Sequence, residues 1–336
     1  MTMTAQKTIR NFPTPYPGEC LYSLFSRYHA RSGNSSFQNT AEDLFGNPMY
    51  TFHSSVTTPY RLEFVRRWYP QNTEEFAKQL LLYHTGFQYY SLVCWPKRRQ
   101  EYNDAFCQAT ARNYKPAALM AREISFGFHH LRYCPVCAKK ETEQYGEPYW
   151  SVIHQLDGVD FCPIHGCYLC DSSVCAEDTH KKLKPASQIL TKRRLARKLP
   201  VYAYTELAQE CLAFSRDVCW ILNHGASLDY NGIHDQLVSS LRSGNCKYTT
   251  FWHYGSLTSA TESLIIQHAS AALLEKMKVL YRSKCALNGR SQPNDYYFYA
   301  YFPPIKVLAI HYLSGSAENF GKEVLKKSKS SNEHYF

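Results

Sequence analysis

Catalytic motifs of the familiar enzyme classes are missing from this sequence. It has no Gly-x4-Gly-Lys-Ser/Thr loop for nucleotide phosphates, no Gly-x-Ser-x-Gly elbow and no His-Glu-x-x-His helix. The paired His-x-Glu and Pro-Cys-x-x-Cys motifs of the zinc deaminases are also absent. The sequence therefore favours a binding or adaptor protein over an enzyme.

Long apolar runs and a secretory leader are missing as well. No stretch approaches the roughly 18 apolar residues that span a membrane. Residues 1–10 are polar and lack the apolar core of a signal peptide. We therefore expect a cytoplasmic protein without a membrane segment.

Acidic residues are fewer than basic ones. The chain has 28 Asp and Glu against 38 Lys and Arg, which gives a formal net charge of +10. This excess favours an anionic partner, either nucleic acid or an anionic membrane surface. A soluble basic protein without such a partner has the same composition, so charge alone does not decide.

Cysteine, in contrast, is plentiful, with 13 in the chain. The number is odd, the chain is long and no secretory signal precedes it, which argues against a disulfide framework. The paired spacing of several cysteines indicates metal thiolates in a reducing compartment.

Two short Cys/His pairs carry the strongest chemical signal. Cys134 and Cys137 form a Cys-x2-Cys pair, and Cys162 and His165 form a Cys-x2-His pair 24 residues later. Two pairs of soft or borderline donors are what a tetrahedral structural zinc site requires. Four ligands leave no open position for a water molecule, so we expect one structural Zn²⁺ without a catalytic role.

A second group of donors follows at once. Cys167, Cys170, Cys175 and His180 have spacings that occur in zinc knuckles. Because Cys167 lies only two residues after His165, two separate metal ions would be crowded. A second metal site and the replacement of one of the four ligands by Cys167 both remain open as alternatives.

Helical periodicity dominates elsewhere, so the predicted fold class is mainly α. We expect an N-terminal helix-turn-helix, a central zinc finger or ribbon that is irregular with short β pieces, and a C-terminal helical region with a second helix-turn-helix-like pair. The predicted segments are an extended arm (1–18), an N-terminal helical domain (19–130), the zinc segment (131–180), a basic linker (181–200) and a C-terminal helical domain (201–336).

Helix signals support this division. The first predicted pair has apolar positions from Leu21 to Tyr28, a stop at Gly33 and a cap at Ser35 or Ser36. Its pattern fits DNA binding, but any αα-hairpin has the same pattern. In the C-terminal region we expect a helix from Thr205 to Gly225, another through 264–273, and a pair joined by Ser314-Gly315-Ser316.

The clearest basic run separates the zinc segment from the C-terminal helices. Its candidate nucleic-acid-binding residues are Lys181, Lys182, Lys184, Lys192, Arg193, Arg194, Arg197 and Lys198. Such a run suits contact with phosphates, which fixes position without reading sequence. A solvated linker is the alternative interpretation.

Several motifs together resemble the TniQ/TnsD family of transposon target-selection proteins. The similar stretches are Asn11-Phe12-Pro13 with Glu19 to Ser23, Leu82 to Tyr90, Arg132 to Cys137, Tyr145 to Trp150, His154-Gln155-Leu156, Cys162 to Gly166, and Pro304 to Ser316. The resemblance covers roughly residues 11–325 and is strongest over 130–166.

This resemblance implies a non-catalytic, nucleoid-associated bacterial protein of a heteromeric cut-and-paste transposon. Family members mark a target and recruit the AAA+ ATPase TnsC. The TnsD type binds double-stranded attachment-site DNA. The TniQ type instead joins a CRISPR Cascade complex with its guide RNA, usually as a homodimer. We expect the TnsD-type role, with the Cascade adaptor as the alternative.

Overall fold

The computed structural model describes residues 9, 11–50, 65, 68–69, 73–94, 97, 99–101, 130–175, 182–228, 230–243, 254–287 and 294–333. These residues are mostly helical and include two short strands, so the predicted fold class is confirmed. None of the described helices is both long enough and apolar enough to cross a membrane.

Helices and strands follow one another in this order. They are α1 (Leu21–Ser32), α2 (Phe37–Phe45), α3 (Thr73–Tyr83), α4 (Phe87–Tyr90), β1 (His130–Tyr133), α5 (Pro135–Tyr145), β2 (Cys170–Cys175), α6 (Ala186–Ile189), α7 (Lys192–Arg197), α8 (Glu206–His224), α9 (Tyr230–Ser243), α10 (Tyr254–His268), α11 (Ala271–Leu287), α12 (Asp295–Tyr301), α13 (Pro303–Ser314) and α14 (Ala317–Glu333).

The chain folds as two compact units. The first comprises Met1–Phe87, Gln100–Leu156 and Cys167–Val201, and the second comprises Gln88–Arg99, Asp157–Gly166 and Tyr202–Phe336. The five segments expected from the sequence stay a prediction.

In the first unit, α1 and α2 form the expected helix pair. α1 ends at Gly33, which adopts the left-handed conformation, and Ser36 caps α2 by accepting a hydrogen bond from the Asn39 N–H at 3.2 Å. Phe25 of α1 packs edge-on against Phe45 of α2, with 5.6 Å between ring centroids. The pair therefore has its own aromatic core.

The residues before α1 are packed onto this core. Phe12 stacks on Trp68 at 5.2 Å between centroids and contacts Tyr28 at 5.7 Å. The Trp68 indole donates to the Leu44 carbonyl at 2.9 Å. The described part of the predicted arm comprises residue 9 and residues 11–18, and it is anchored at Phe12. Residues 1–8 and 10 lie outside the described part of the chain.

β1 and β2 form a two-stranded antiparallel sheet, in agreement with the short β pieces expected here. The register pairs Arg132 with Asp171 and Tyr133 with Cys170. The expectation of an otherwise irregular segment was wrong, because helix α5 begins directly after Cys134. Pro135 at its first turn and the left-handed Gly146 after its last residue fix its ends.

In the second unit, α8 begins and ends as predicted. Thr205 caps it by accepting from the Ala208 N–H at 3.2 Å, and Gly225 follows its last residue. The sequence predicts one helix through 264–273, but the chain breaks there between α10 and α11. Ser270 at the break caps α11 by accepting from the Leu273 N–H at 3.1 Å. That serine also donates to a Glu210 carboxylate at 2.5 Å.

The predicted second helix pair is α13 and α14. Gly315 adopts the left-handed conformation at the turn, and Ser316 accepts from the Asn319 N–H at 3.2 Å. The buried Asp217 of α8 accepts from the Ala317 N–H at 2.6 Å and contacts His311 Nδ1 at 2.7 Å. One carboxylate thus holds both helices of the pair.

Candidate metal centre and basic surface

The first pair, Cys134 and Cys137, lies at the start of α5. Cys134 has an extended backbone at the N-cap position, and its Sγ accepts from the Cys137 N–H at 3.3 Å. Backbone N–H groups at a helix N-terminus favour a negatively charged group, so this position suits a thiolate ligand.

The second pair, Cys162 and His165, lies on a tight turn. The Gly166 N–H donates to the Cys162 carbonyl at 2.8 Å, and Gly166 adopts a φ of 65° that favours glycine. The turn brings Cys162 Sγ to 3.6 Å from His165 Nδ1. Both side chains can therefore bind one ion.

The four predicted ligands form a cluster. Each of Cys134, Cys137, Cys162 and His165 contributes one ligand atom, and all four atoms lie within 4.8 Å of one another. Zinc bonds of about 2.0–2.3 Å place tetrahedral donors about 3.3–3.8 Å apart. Three thiols and one imidazole gathered within 4.8 Å of one another are a donor set that could hold a metal ion.

The donors considered for a second metal site or as a replacement ligand lie at different places in the structure. Cys167 Sγ is 3.3 Å from Cys134 Sγ, whereas Cys170 and Cys175 lie at the two ends of β2. Burial raises the pKa of the Cys170 thiol. His180 lies outside the described residues. Within the described ranges, no second group of three or more metal-binding side chains is found, so a second site stays a prediction.

Buried charges connect α1 to the loop after α5. Arg27 donates from Nη1 to Glu19 at 2.6 Å and from Nε to Glu147 at 2.8 Å. Arg31 and the Tyr16 hydroxyl also donate to Glu147. Sequence reasoning misses this network, because no local pattern signals an ion pair between residues 120 positions apart.

Trp150 explains part of the Tyr145 to Trp150 motif. Its ring is fully buried, its backbone N–H donates to the Ser23 hydroxyl at 3.1 Å, and its indole donates to the Lys184 carbonyl at 2.9 Å. These hydrogen bonds tie the motif to α1 and to the segment that precedes α6. The motif therefore contributes to the packing of the first unit.

Most of the predicted basic residues lie on the surface of the first unit. Those that are exposed are Lys182, Lys184, Lys192, Arg193, Arg194, Arg197 and Lys198. Lys181 lies outside the described residues. Helix α7 carries Lys192 and the three arginines, and the buried Leu195 anchors it. Exposed cations on an anchored helix suit contact with an anionic surface.

Arg194 already makes hydrogen bonds within the first unit. Its Nη1 donates to the Ile189 carbonyl at 3.1 Å and to the Ser173 hydroxyl at 3.4 Å. The other exposed cations here are Lys192, Arg193 and Arg197 of α7 and Lys198 directly after it. These four residues are called the α7 basic face below.

The described residues thus define a mainly helical protein with a Cys/His cluster that could hold a metal ion. Residues 10–169 match the TniQ family model. Over 159 residues the chain is 28% identical to "Transposon Tn7 transposition protein TnsD" of Escherichia coli. That alignment covers 47% of this chain and 31% of that protein.

The TniQ match over residues 10–169 and the identity to TnsD confirm the resemblance to the TniQ/TnsD family inferred from the sequence motifs. The matched range contains the α1–α2 pair, α5 and all four residues of the Cys/His cluster. The chain spans about a third of the length of the curated relative it matches.

Proposed function

We propose that this protein selects the target site of a heteromeric cut-and-paste DNA transposon. It binds target DNA and recruits the AAA+ regulator TnsC, and it has no catalytic step of its own. The observation that carries the proposal is the TniQ match over residues 10–169, together with the 28% identity to a Tn7 transposition protein.

Contact with DNA is assigned to the α7 basic face and to Lys182 and Lys184. These side chains are exposed and lie in the same unit as the α1–α2 pair. Each phosphate neutralised by a Lys or Arg releases counterions, so binding of this kind is strongly salt-dependent. Arg194 contributes less, because it already binds Ile189 and Ser173.

The metal is assigned as one structural Zn²⁺ held by Cys134, Cys137, Cys162 and His165. Support comes from the donor set and from the 4.8 Å limit on the separation of its atoms. A bound ion stabilises the fold around α5 and leaves no position for a reacting water.

A salt titration of DNA binding tests the proposal. Fluorescence anisotropy with a labelled mixed-sequence duplex, from about 50 to about 200 mM salt, is expected to show a steep fall in affinity. The Arg193→Ala, Arg197→Ala, Lys198→Ala triple variant should bind every duplex more weakly. Its salt slope should fall by about 1 for each phosphate that the variant no longer neutralises.

A matched control removes three exposed positive charges from the second unit. Arg282→Ala, Lys322→Ala and Lys326→Ala change the net charge equally and should leave DNA affinity near wild type. Equal weakening of both triple variants would reject the α7 basic face as the DNA-binding surface. No affinity even at low salt, combined with co-purification of a guide-RNA effector complex, would favour the Cascade adaptor.

A further inference from the structure

We propose that Cys167 is a spare donor beside the four ligands of the metal centre. When His165 is lost, Cys167 binds the ion in its place. The inference rests on the zinc assignment above and is independent of DNA binding. Its result would be a four-thiolate site formed by Cys134, Cys137, Cys162 and Cys167.

The distance between two thiols supports this assignment. Cys167 Sγ lies 3.3 Å from Cys134 Sγ. Two thiolates bound to one tetrahedral zinc, each at about 2.3 Å, lie about 3.8 Å apart. The two thiols are therefore about half an ångström closer together than two thiolates that share one tetrahedral zinc.

The β1–β2 sheet holds these two thiols together. Cys134 directly follows β1, Cys167 precedes β2, and the register pairs Tyr133 with Cys170. The Tyr168 N–H also donates to the Val201 carbonyl at 2.6 Å. The position of Cys167 is thus fixed by elements outside the Cys162–Gly166 turn.

Exposure distinguishes the two competing donors. Cys167 is 0% exposed, whereas His165 is partly exposed and follows Ile164, which is 71% exposed. The His165 residue therefore lies nearer to solvent than the Cys167 thiol, although its own Nε2 is buried. A thiol that is already enclosed beside Cys134 can then replace it.

The ligand exchange balances without any oxidation. The bond from metal to imidazole nitrogen breaks, a bond from metal to the Cys167 sulfur forms, and the thiol proton passes to solvent. Three thiolates with one imidazole and four thiolates are both closed structural zinc sets. The exchange therefore preserves a closed tetrahedral site.

Cobalt substitution of the full chain tests this inference. Wild type should bind one Co²⁺ in the cluster with a tetrahedral visible spectrum. His165→Ala should also bind one Co²⁺, with a thiolate-to-cobalt absorbance about one third larger, since four thiolates replace three. Cys167→Ala alone should keep the wild-type spectrum, and the double variant should lose stoichiometric binding.

Two controls make the outcome decisive. Cys175→Ala in the His165→Ala background removes a cysteine outside the cluster and should leave the enlarged absorbance unchanged. His165→Asn repeats the test with a bulkier side chain in case the alanine variant folds poorly. If both His165 variants fail to bind Co²⁺ while wild type binds it, the role of Cys167 is overturned. If wild type itself binds none, the zinc assignment fails as well.

Discussion

Arg27 Nη1 donates to Glu19 Oε2 across 2.6 Å, and both side chains are buried in the first unit. The same guanidinium reaches Glu147 through Nε at 2.8 Å. One arginine thus joins the start of α1 to the loop that follows α5.

The first prediction concerns pH. Burial raises the pKa of Glu19 from 4.5 to about 7, although Arg27 opposes the shift. Between these two pH values the folded state holds a proton that the unfolded state has lost. The free energy of unfolding should therefore fall as pH rises from 4.5 to about 7, by about 1 kcal/mol per pH unit from this group.

Glu19→Gln isolates that contribution. Gln does not titrate, so the stability of wild type relative to this variant should decline across the window and level off above it. Urea unfolding of both proteins at several pH values measures the difference. A constant difference, or one that grows with pH, would contradict the raised pKa.

The second prediction concerns the other end of the network. Glu147→Ala removes the partner of Arg31 and one partner of the buried Arg27. Because Arg27 keeps Glu19, we expect a loss of about 1–3 kcal/mol in the free energy of unfolding. Glu143→Ala, which removes an exposed carboxylate of α5, should change stability by less than about 0.5 kcal/mol. Equal effects of the two variants would show that the contacts of Glu147 with Arg27 and Arg31 add no stability.

Metal removal is the third prediction. Zinc binding to small fingers contributes on the order of 10 kcal/mol at neutral pH, so a chelator should lower the melting temperature substantially. The Cys162→Ser, Cys167→Ser double variant lacks both a ligand and the spare thiol, so it should melt like the chelated wild type and lose its bound zinc. Cys175→Ser, outside the cluster, should retain one zinc per chain. An unchanged melting curve for metal-free protein would refute a structural role.

The fourth prediction tests packing in the second helix pair. A Cβ at Gly321 of α14 would overlap the Trp220 ring of α8. Gly321→Ala should therefore lower the free energy of unfolding by about 1–3 kcal/mol, since the indole must move. Lys326→Ala, on the same helix and exposed, should be near neutral. Thermal melts of both variants provide the comparison, and a stabilised Gly321→Ala would contradict the close approach.

Local signals explain which parts of the fold the sequence predicts. Thr205, Pro303 and Ser316 start their helices through caps or fixed backbone angles that lie within a few residues. Helix α5 is not predicted in this way, because its sequence is largely polar and shows no apolar stripe. The helix break at Ser270 is not predicted either, because a capping serine and a serine on a helix surface look alike in the sequence.

In the candidate site, too, local features can be predicted from the sequence and long-range contacts cannot. The Cys/His spacing predicts the four clustered ligands, because each pair lies on one turn or helix start. The close approach of Cys167 to Cys134 and the hydrogen bond from Arg27 to Glu147 depend on distant parts of the chain. Only the tertiary structure brings these groups together.

Retention of TnsC on target DNA tests the central claim most directly. The purified chain would be bound to an immobilised duplex carrying the insertion site of its transposon, and the cognate TnsC would then be added. We predict that TnsC is retained when both the chain and the duplex are present. The α7 basic-face triple variant should retain less. Retention that is the same with and without the chain would contradict its role in target selection.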